Sequence, residues 1–266
     1  MAELLVEVES VTKTYRLGGR LARKPPTVAV GGVSVAIAAG ESVGVVGESG
    51  SGKSTLAGII CGLVRPDSGS VRVAGREVYA RRGLDRTIWR TVQMVFQDPY
   101  TSLNPAMTVA EIVAEPSRLW HGMDRREADR RALELLDRVG LSAGAAQSRP
   151  DSLSGGQRQR ASIARALAVS PSLVVLDESV SALDVSVQAQ ILQLLLDLRR
   201  ENDLAYMLIS HDISVIRLVC DRILVMNGGE VVEELLSAGL TEEAARHPYT
   251  RRLLSAVPTM AVDRQG

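Results

Sequence analysis

Gly47-Glu48-Ser49-Gly50-Ser51-Gly52-Lys53-Ser54-Thr55 decides the fold. Residues 41–46 before it are apolar enough for a strand buried on both faces, and residues 54–63 after it read as a helix. Gly-x-x-x-x-Gly-Lys-Ser between a strand and a helix is the phosphate-loop pattern. Its glycines let backbone N–H groups converge on phosphate oxygens, and the following helix adds its positive end. Lys53 is placed to reach β- and γ-phosphates, and Ser54 to ligate Mg²⁺. A plain glycine-rich turn is the bland alternative, and the strand–loop–helix context outweighs it. ATP or GTP binding is therefore expected.

Working outward, Leu173-Val174-Val175-Leu176-Asp177-Glu178 is an apolar strand ending in two carboxylates. In phosphate-loop proteins such a strand lies beside the loop, and its terminal Asp holds the metal's water shell. Asp177 takes that role, and Glu178, facing elsewhere, can polarise the attacking water as general base. Alone, the pair would read as ordinary acids opening a helix; the loop upstream reverses that. Leu153-Ser154-Gly155-Gly156-Gln157 opens a further helix with N–H groups and a hydroxyl aimed outward as an anion site. A chain with its own phosphate loop needs no second anion site for the same nucleotide, so this one is expected to serve a γ-phosphate held by another subunit.

The remaining chain supports an α/β domain. Strands are expected at 4–8, 33–37, 70–73, 92–96, 172–176, 204–209 and 222–226, and helices at 125–139, 187–200 and 213–219. Strands alternating with helices imply a parallel sheet. Pro66-Asp67-Ser68-Gly69 reads as a turn in which Asp67 bonds its own backbone. Gly18-Gly19, Pro25-Pro26 and the basic residues Arg16, Arg20, Arg23 and Lys24 mark an exposed loop.

Composition excludes several classes. The chain has 266 residues, 45% hydrophobic and 23% charged, as expected of one globular domain with a sizeable core. Lys+Arg and Asp+Glu both number 31, so the formal net charge is zero, without the basic footprint of non-specific nucleic-acid binding. The longest uncharged run, 25–40, is shorter than the ~20 apolar residues of a membrane span. The first residues carry Glu3, Glu7 and Glu9 and have no signal-peptide pattern. Cys61 and Cys220 alone make neither a disulfide framework nor a zinc cluster. A cytosolic-type protein is expected.

With these motifs in order, the sequence resembles the ATP-binding cassette (ABC) ATPases from about residue 4 to 258. The resemblance implies a P-loop core at 1–96 and 165–234 with a parallel sheet and an N-terminal antiparallel β-subdomain. It also implies an inserted α-helical subdomain at 97–164 and a C-terminal extension at 235–266. It makes 153–157 the signature motif, with two subunits sandwiching two ATP molecules. By the same resemblance Tyr15 stacks on adenine, Gln97 lies near Mg²⁺ and the γ-phosphate, Ser181-Ala182-Leu183-Asp184 is the D-loop, and His211 contacts the γ-phosphate. Ser179 stands where the family usually has Pro, which is expected to loosen that turn.

Gln97-Asp98-Pro99-Tyr100-Thr101-Ser102-Leu103-Asn104-Pro105 and His247-Pro248-Tyr249-Thr250-Arg251-Arg252-Leu253-Leu254-Ser255-Ala256-Val257-Pro258 are similar to the oligopeptide/dipeptide/nickel importer branch, its second ATPase type in particular. Ala106 departs from the Arg common there, and no cysteine follows Cys220, so no iron–sulfur cluster is expected. The resemblance implies a peripheral ATPase on the cytoplasmic face of a bacterial membrane, using ATP and Mg²⁺. Its partners are a second ATPase subunit or another copy, two integral-membrane permeases and, indirectly, an external solute-binding protein. Peptides are the first solute class and nickel or a metal chelate the second. A soluble ABC ATPase working on nucleic acid or ribosomes is the competitor from another class, and a small-molecule kinase leaves 153–157 and His211 unexplained.

Overall fold

A computed structural model describes residues 3–16, 26–80, 83–98, 102–179 and 184–255. Most of the basic loop, Pro99–Thr101 of the Gln97 stretch, Ser181–Leu183 and residues 256–258 lie outside them.

Two sheets share the core. The first is antiparallel, in the order β2 (Thr27–Ala38), β1 (Leu4–Tyr15), β4 (Ser68–Val73), β5 (Arg76–Glu77). The second has six strands in the order β12 (Glu230–Leu236), β11 (Arg222–Asn227), β3 (Ser42–Val46), β10 (Ala205–Ile209), β9 (Leu173–Asp177), β8 (Val92–Val95). Its strands run parallel except for β12, which closes one edge antiparallel to β11. A hairpin of β6 (Tyr79–Ala80) and β7 (Gly83–Leu84) completes the strands.

Parallel strands covered on both faces are apolar throughout, and successive side chains part to opposite sides. Leu173 and Val175 of β9 join α1 (Lys53–Ile60) and the antiparallel sheet in one core. Val174 and Leu176 face the other core, which holds the helices inserted between β8 and β9. Those helices are α2 (Val109–His121), α3 (Arg125–Arg138), α4 (Ala143–Gln147) and α5 (Gly155–Leu167). Because β8 and β9 are sheet neighbours, the insertion leaves and rejoins the sheet at one edge. Beyond β9 come α6 (Val185–Asn202), α7 (Ile213–Val219) and α8 (Pro248–Ser255).

Several details differ from expectation. β1 and β2 run well past 4–8 and 33–37, carried through irregularities between Val8 and Val11, where Ser10 takes φ 46°. Asp67 does not bond its own backbone: its carboxylate accepts from the Thr14 N–H at 2.8 Å and from Lys13 Nζ at 3.0 Å, tying the turn to β1. That charge-assisted pairing outcompetes the local turn bond and holds the carboxyl below its ordinary pKa. β12 lies outside the expected strands. Its run Glu-Val-Val-Glu-Glu-Leu-Leu is charged because an edge strand is half solvated.

Candidate active site

The phosphate loop leaves the carboxyl end of β3 and turns into α1. Gly52, the N-cap of α1, has φ 104° and no side chain to cap the helix, so the first N–H groups stay available to an anion. A Cβ on Gly52 would run into the Ala29 carbonyl, which makes glycine obligatory there. Lys53 is only 5% exposed, and its ammonium donates to Gly47 O and Glu48 O, both at 2.8 Å. Burial lowers its pKa, against the charges of Glu178 and Asp177. The ammonium is thus held inside the loop by two carbonyls that a phosphate can replace.

Asp177 ends β9, and its Oδ1 accepts from Ser54 Oγ at 3.0 Å. Burial raises its carboxyl above the usual range; the Ser54 bond opposes this, and the neighbouring Glu178 charge adds to it. Glu178 takes a left-handed φ of 44° and its N–H donates to Ile209 O at 3.0 Å, which turns its side chain off the strand direction. A non-glycine residue held there costs about 1–3 kcal/mol, tolerated where function needs it. Glu178 Oε2 accepts from Gln97 Nε2 at 3.0 Å and lies 3.9 Å from His211 Nδ1. Gln97 comes from beyond β8, His211 from beyond β10, so the ends of neighbouring strands converge on one carboxylate. Ser179 is buried, and among the described residues its hydroxyl has no hydrogen-bond partner. Proline there would push residue 178 toward extended backbone.

The signature segment is built differently. Ser154 caps α5, with its Oγ accepting from Gln157 N at 3.3 Å while Gln157 Oε1 accepts from Ser154 N at 3.0 Å. The Ser154 hydroxyl, expected to be aimed outward, accepts one bond within a capping box and keeps its own proton to donate. Leu153 anchors the segment in the core, and a Cβ on Gly156 would collide with Val187 of α6. Among the described residues no hydrogen bond or ion pair joins 153–157 to the phosphate loop.

The structure thus brings Lys53, Ser54, Gln97, Asp177, Glu178 and His211 together, with Gly47, Glu48, Ser49, Gly50, Ser51, Gly52 and Thr55 forming the loop around them. It leaves Leu153 to Gln157 apart. Tyr15, 40% exposed at the end of β1, has Lys13 Nζ 5.7 Å from its ring centre. Asp184 sits at the N-cap of α6 without a side-chain bond to it. One contact at the loop escaped the sequence reading: the Glu48 N–H donates to Tyr249 Oη at 2.8 Å. In the sequence Tyr249 is part of the stretch 247–258, and nothing local points it at residue 48.

Strand, glycine loop, helix and a carboxylate closing the adjacent strand define a P-loop nucleotide-binding domain with an inserted helical arm. The family model described as ABC transporter matches residues 30–181. The chain belongs to the ABC transporter family, as one of its ATP-binding and ATP-hydrolysing cassettes. It is 47% identical over 261 residues to "Probable peptide ABC transporter ATP-binding protein y4tS" of Sinorhizobium fredii, covering 97% of this chain and 74% of that one. It is 45% identical over 255 residues to "Nickel import ATP-binding protein NikE" of Pseudomonas putida, covering 95% and 92%. It spans 44% of the length of the mycobacterial OppD proteins, to which it is 46% identical. Among solved structures it is similar to the ATP-binding cassette MJ0796, a dimer in a post-hydrolysis state bound to ADP and Pi. The identity is 35% and the TM-score 0.78, over 88% of this chain and 99% of that one.

Proposed function

We propose that the chain powers a bacterial importer of oligopeptides or dipeptides from the cytoplasmic face of the cell membrane. Carrying most weight is the 47% identity, across nearly the whole chain, to a protein named for peptide transport. Among the described residues no helix is long and apolar enough to cross a membrane, so the translocation path would belong to partner subunits. Two integral-membrane permeases, a second ATPase subunit or another copy of this chain, and an external solute-binding protein complete the assembly. The permeases would engage the groove of about 320 Å³ between β8 and α2, lined by Trp89, Met94, Phe96, Leu119 and Trp120.

In this reading the α1 N-terminus and Lys53 hold the ATP phosphates, and Tyr15 meets the adenine. Ser54, Asp177 and Gln97 would hold Mg²⁺. Their hard oxygens suit it, and Mg²⁺ characteristically takes one or two carboxylates together with substrate phosphates. When bound, the metal neutralises charge on the phosphate oxygens. Glu178 accepts a proton from the attacking water as Gln97 releases it, and His211 steadies the γ-phosphate. Leu153 to Gln157 and Asp184 act across the dimer interface, on the nucleotide of the other subunit.

The test is uptake by cells that lack this chain. Loss of labelled di- and tripeptide uptake, restored by the wild-type chain and not by Lys53→Ala, supports the proposal. The similarity to NikE motivates a parallel assay with radiolabelled nickel. Nickel uptake lost with peptide uptake intact would move the chain to metal import, and no change in either would remove it from both.

A further inference from the structure

The stretch from His247 marks a branch of the family, yet its fold gives it a task at the phosphate loop. Glu233 of β12 accepts from the N–H groups of Arg246 at 2.6 Å and His247 at 3.1 Å, fixing the entry to α8. His247 Nδ1 then accepts from the Tyr249 N–H at 3.2 Å, and Arg251 Nε donates to Ala245 O at 2.8 Å. Leu254 is buried farther along the helix. These contacts set the Tyr249 ring, 3% exposed, before its hydroxyl meets the loop. A tyrosine buries an apolar body and delivers one polar tip at low rotamer cost.

The bond it makes falls on an informative atom. The Glu48 N–H belongs to the same peptide as the Gly47 carbonyl. Tyr249 Oη accepts from its nitrogen at 2.8 Å, and its oxygen accepts from Lys53 Nζ at 2.8 Å. One peptide plane is therefore held at both ends, by the C-terminal helix and by the loop's own lysine. We infer that Tyr249 is a positioning residue for the phosphate loop: it orients the Gly47–Glu48 peptide, and through it Lys53, so that the loop is ordered before ATP arrives. The inference rests on the phosphate loop being the ATP site. Without the hydroxyl that peptide can turn, and ATP binding must then supply the ordering that Tyr249 now supplies in advance.

Tyr249→Phe keeps the ring and removes only the acceptor. In the full-length chain, binding of Mg²⁺-ATP by titration calorimetry should weaken about fivefold, the loss of one hydrogen bond on a part-buried peptide. The melting temperature without nucleotide should stay within about 2 °C of wild type, since the packing is intact. In the assembled ATPase KM should rise by a similar factor, while kcat stays within about twofold. On a Lys53→Ala background the effect of Tyr249→Phe on affinity should largely vanish, because both residues act on one peptide. Wild-type affinity in the Phe variant overturns the assignment. So does an affinity loss of the same size on the Lys53→Ala background accompanied by a lower melting temperature, which marks a role in stability alone. Failure of the wild-type chain to bind ATP overturns the site and the assignment together, whereas normal wild-type binding with an unaltered Phe variant overturns the assignment only.

Discussion

Two helix N-termini in this molecule carry the proposed anion sites, and they are built in opposite ways. α1 begins at Gly52 with no side-chain cap, its lysine buried and held by loop carbonyls. α5 begins at Ser154 with a full capping box, so the N–H of Gln157 already has a partner while the Ser154 oxygen only accepts and keeps its proton to donate. The first end is uncapped and lies beside Lys53, Ser54 and Asp177, the groups proposed to act on a phosphate there. The second is capped, and its hydroxyl proton and the N–H groups of Gly155 and Gly156 lie outside the capping box. An uncapped end invites a ligand it will keep, while a capped end exchanges its serine bond only when something stronger is pressed against it. That difference fits the proposed site, completed by a second subunit.

The largest effect should come from the open end. Lys53→Ala removes the buried cation, and ATP affinity should fall at least about tenfold with turnover lost. Hydrolysis at the wild-type rate would take Lys53 out of the site. Glu178→Gln should slow hydrolysis by about 10²–10⁴-fold while ATP still binds, since only the proton acceptor is lost. A variant that turns over normally would mean that Glu178 is not the base.

Ser154→Arg strikes the closed end. Binding of ATP by this chain alone should be unchanged, while hydrolysis in the assembled pair falls by about a hundredfold, the scale of losing one aimed donor. Equal loss of this chain's own ATP affinity would place both ends on one nucleotide.

Acid should separate the two ends as well. The Asp177 carboxyl takes up its proton at a higher pH than an ordinary carboxylate, because burial disfavours its charge. In the proposed site it is the ionised form that would hold Mg²⁺, so Mg²⁺-dependent ATP affinity should climb as pH rises through that raised pKa and fall below it. The capping box of Ser154 and Gln157 contains no titratable group and should not respond. Affinity titrations across pH, with and without Mg²⁺, check this. The smallest effect belongs to Ser154→Ala, which breaks the box and should cost about 1 kcal/mol of stability in a denaturant melt.

Much of this arrangement is legible in the sequence because its signals are local. Residues 47–55 carry their chemistry in nine consecutive positions, and 173–178 announce a buried strand and its carboxylates by hydrophobicity alone. Gln97 and His211 could be placed only through resemblance, since a lone Gln or His has no pattern; the fold brings both to Glu178. What escaped depends on distance or irregularity. β1 was cut short because a bulge shifts which residues face the core, breaking the alternation that marks a strand. β12 hides behind the three glutamates of Glu230, Glu233 and Glu234. The capping box is spelled locally as Ser154-x-x-Gln157, inside the segment expected to be an anion site. Tyr249 and Glu48 lie 201 residues apart, and only the folded chain puts them together.

The most direct test of the shared site is ATP-dependent assembly. The Glu178→Gln chain, tagged and extracted gently from its own cells with Mg²⁺-ATP, is weighed by light scattering and its partners identified by mass spectrometry. The account predicts a closed pair, this chain with a second ATPase or a second copy, together with two membrane proteins. Adding Ser154→Arg should release the second ATPase while ATP stays bound to this chain. A single ATPase chain that retains ATP and hydrolyses it unaided when Glu178 is restored would contradict the account.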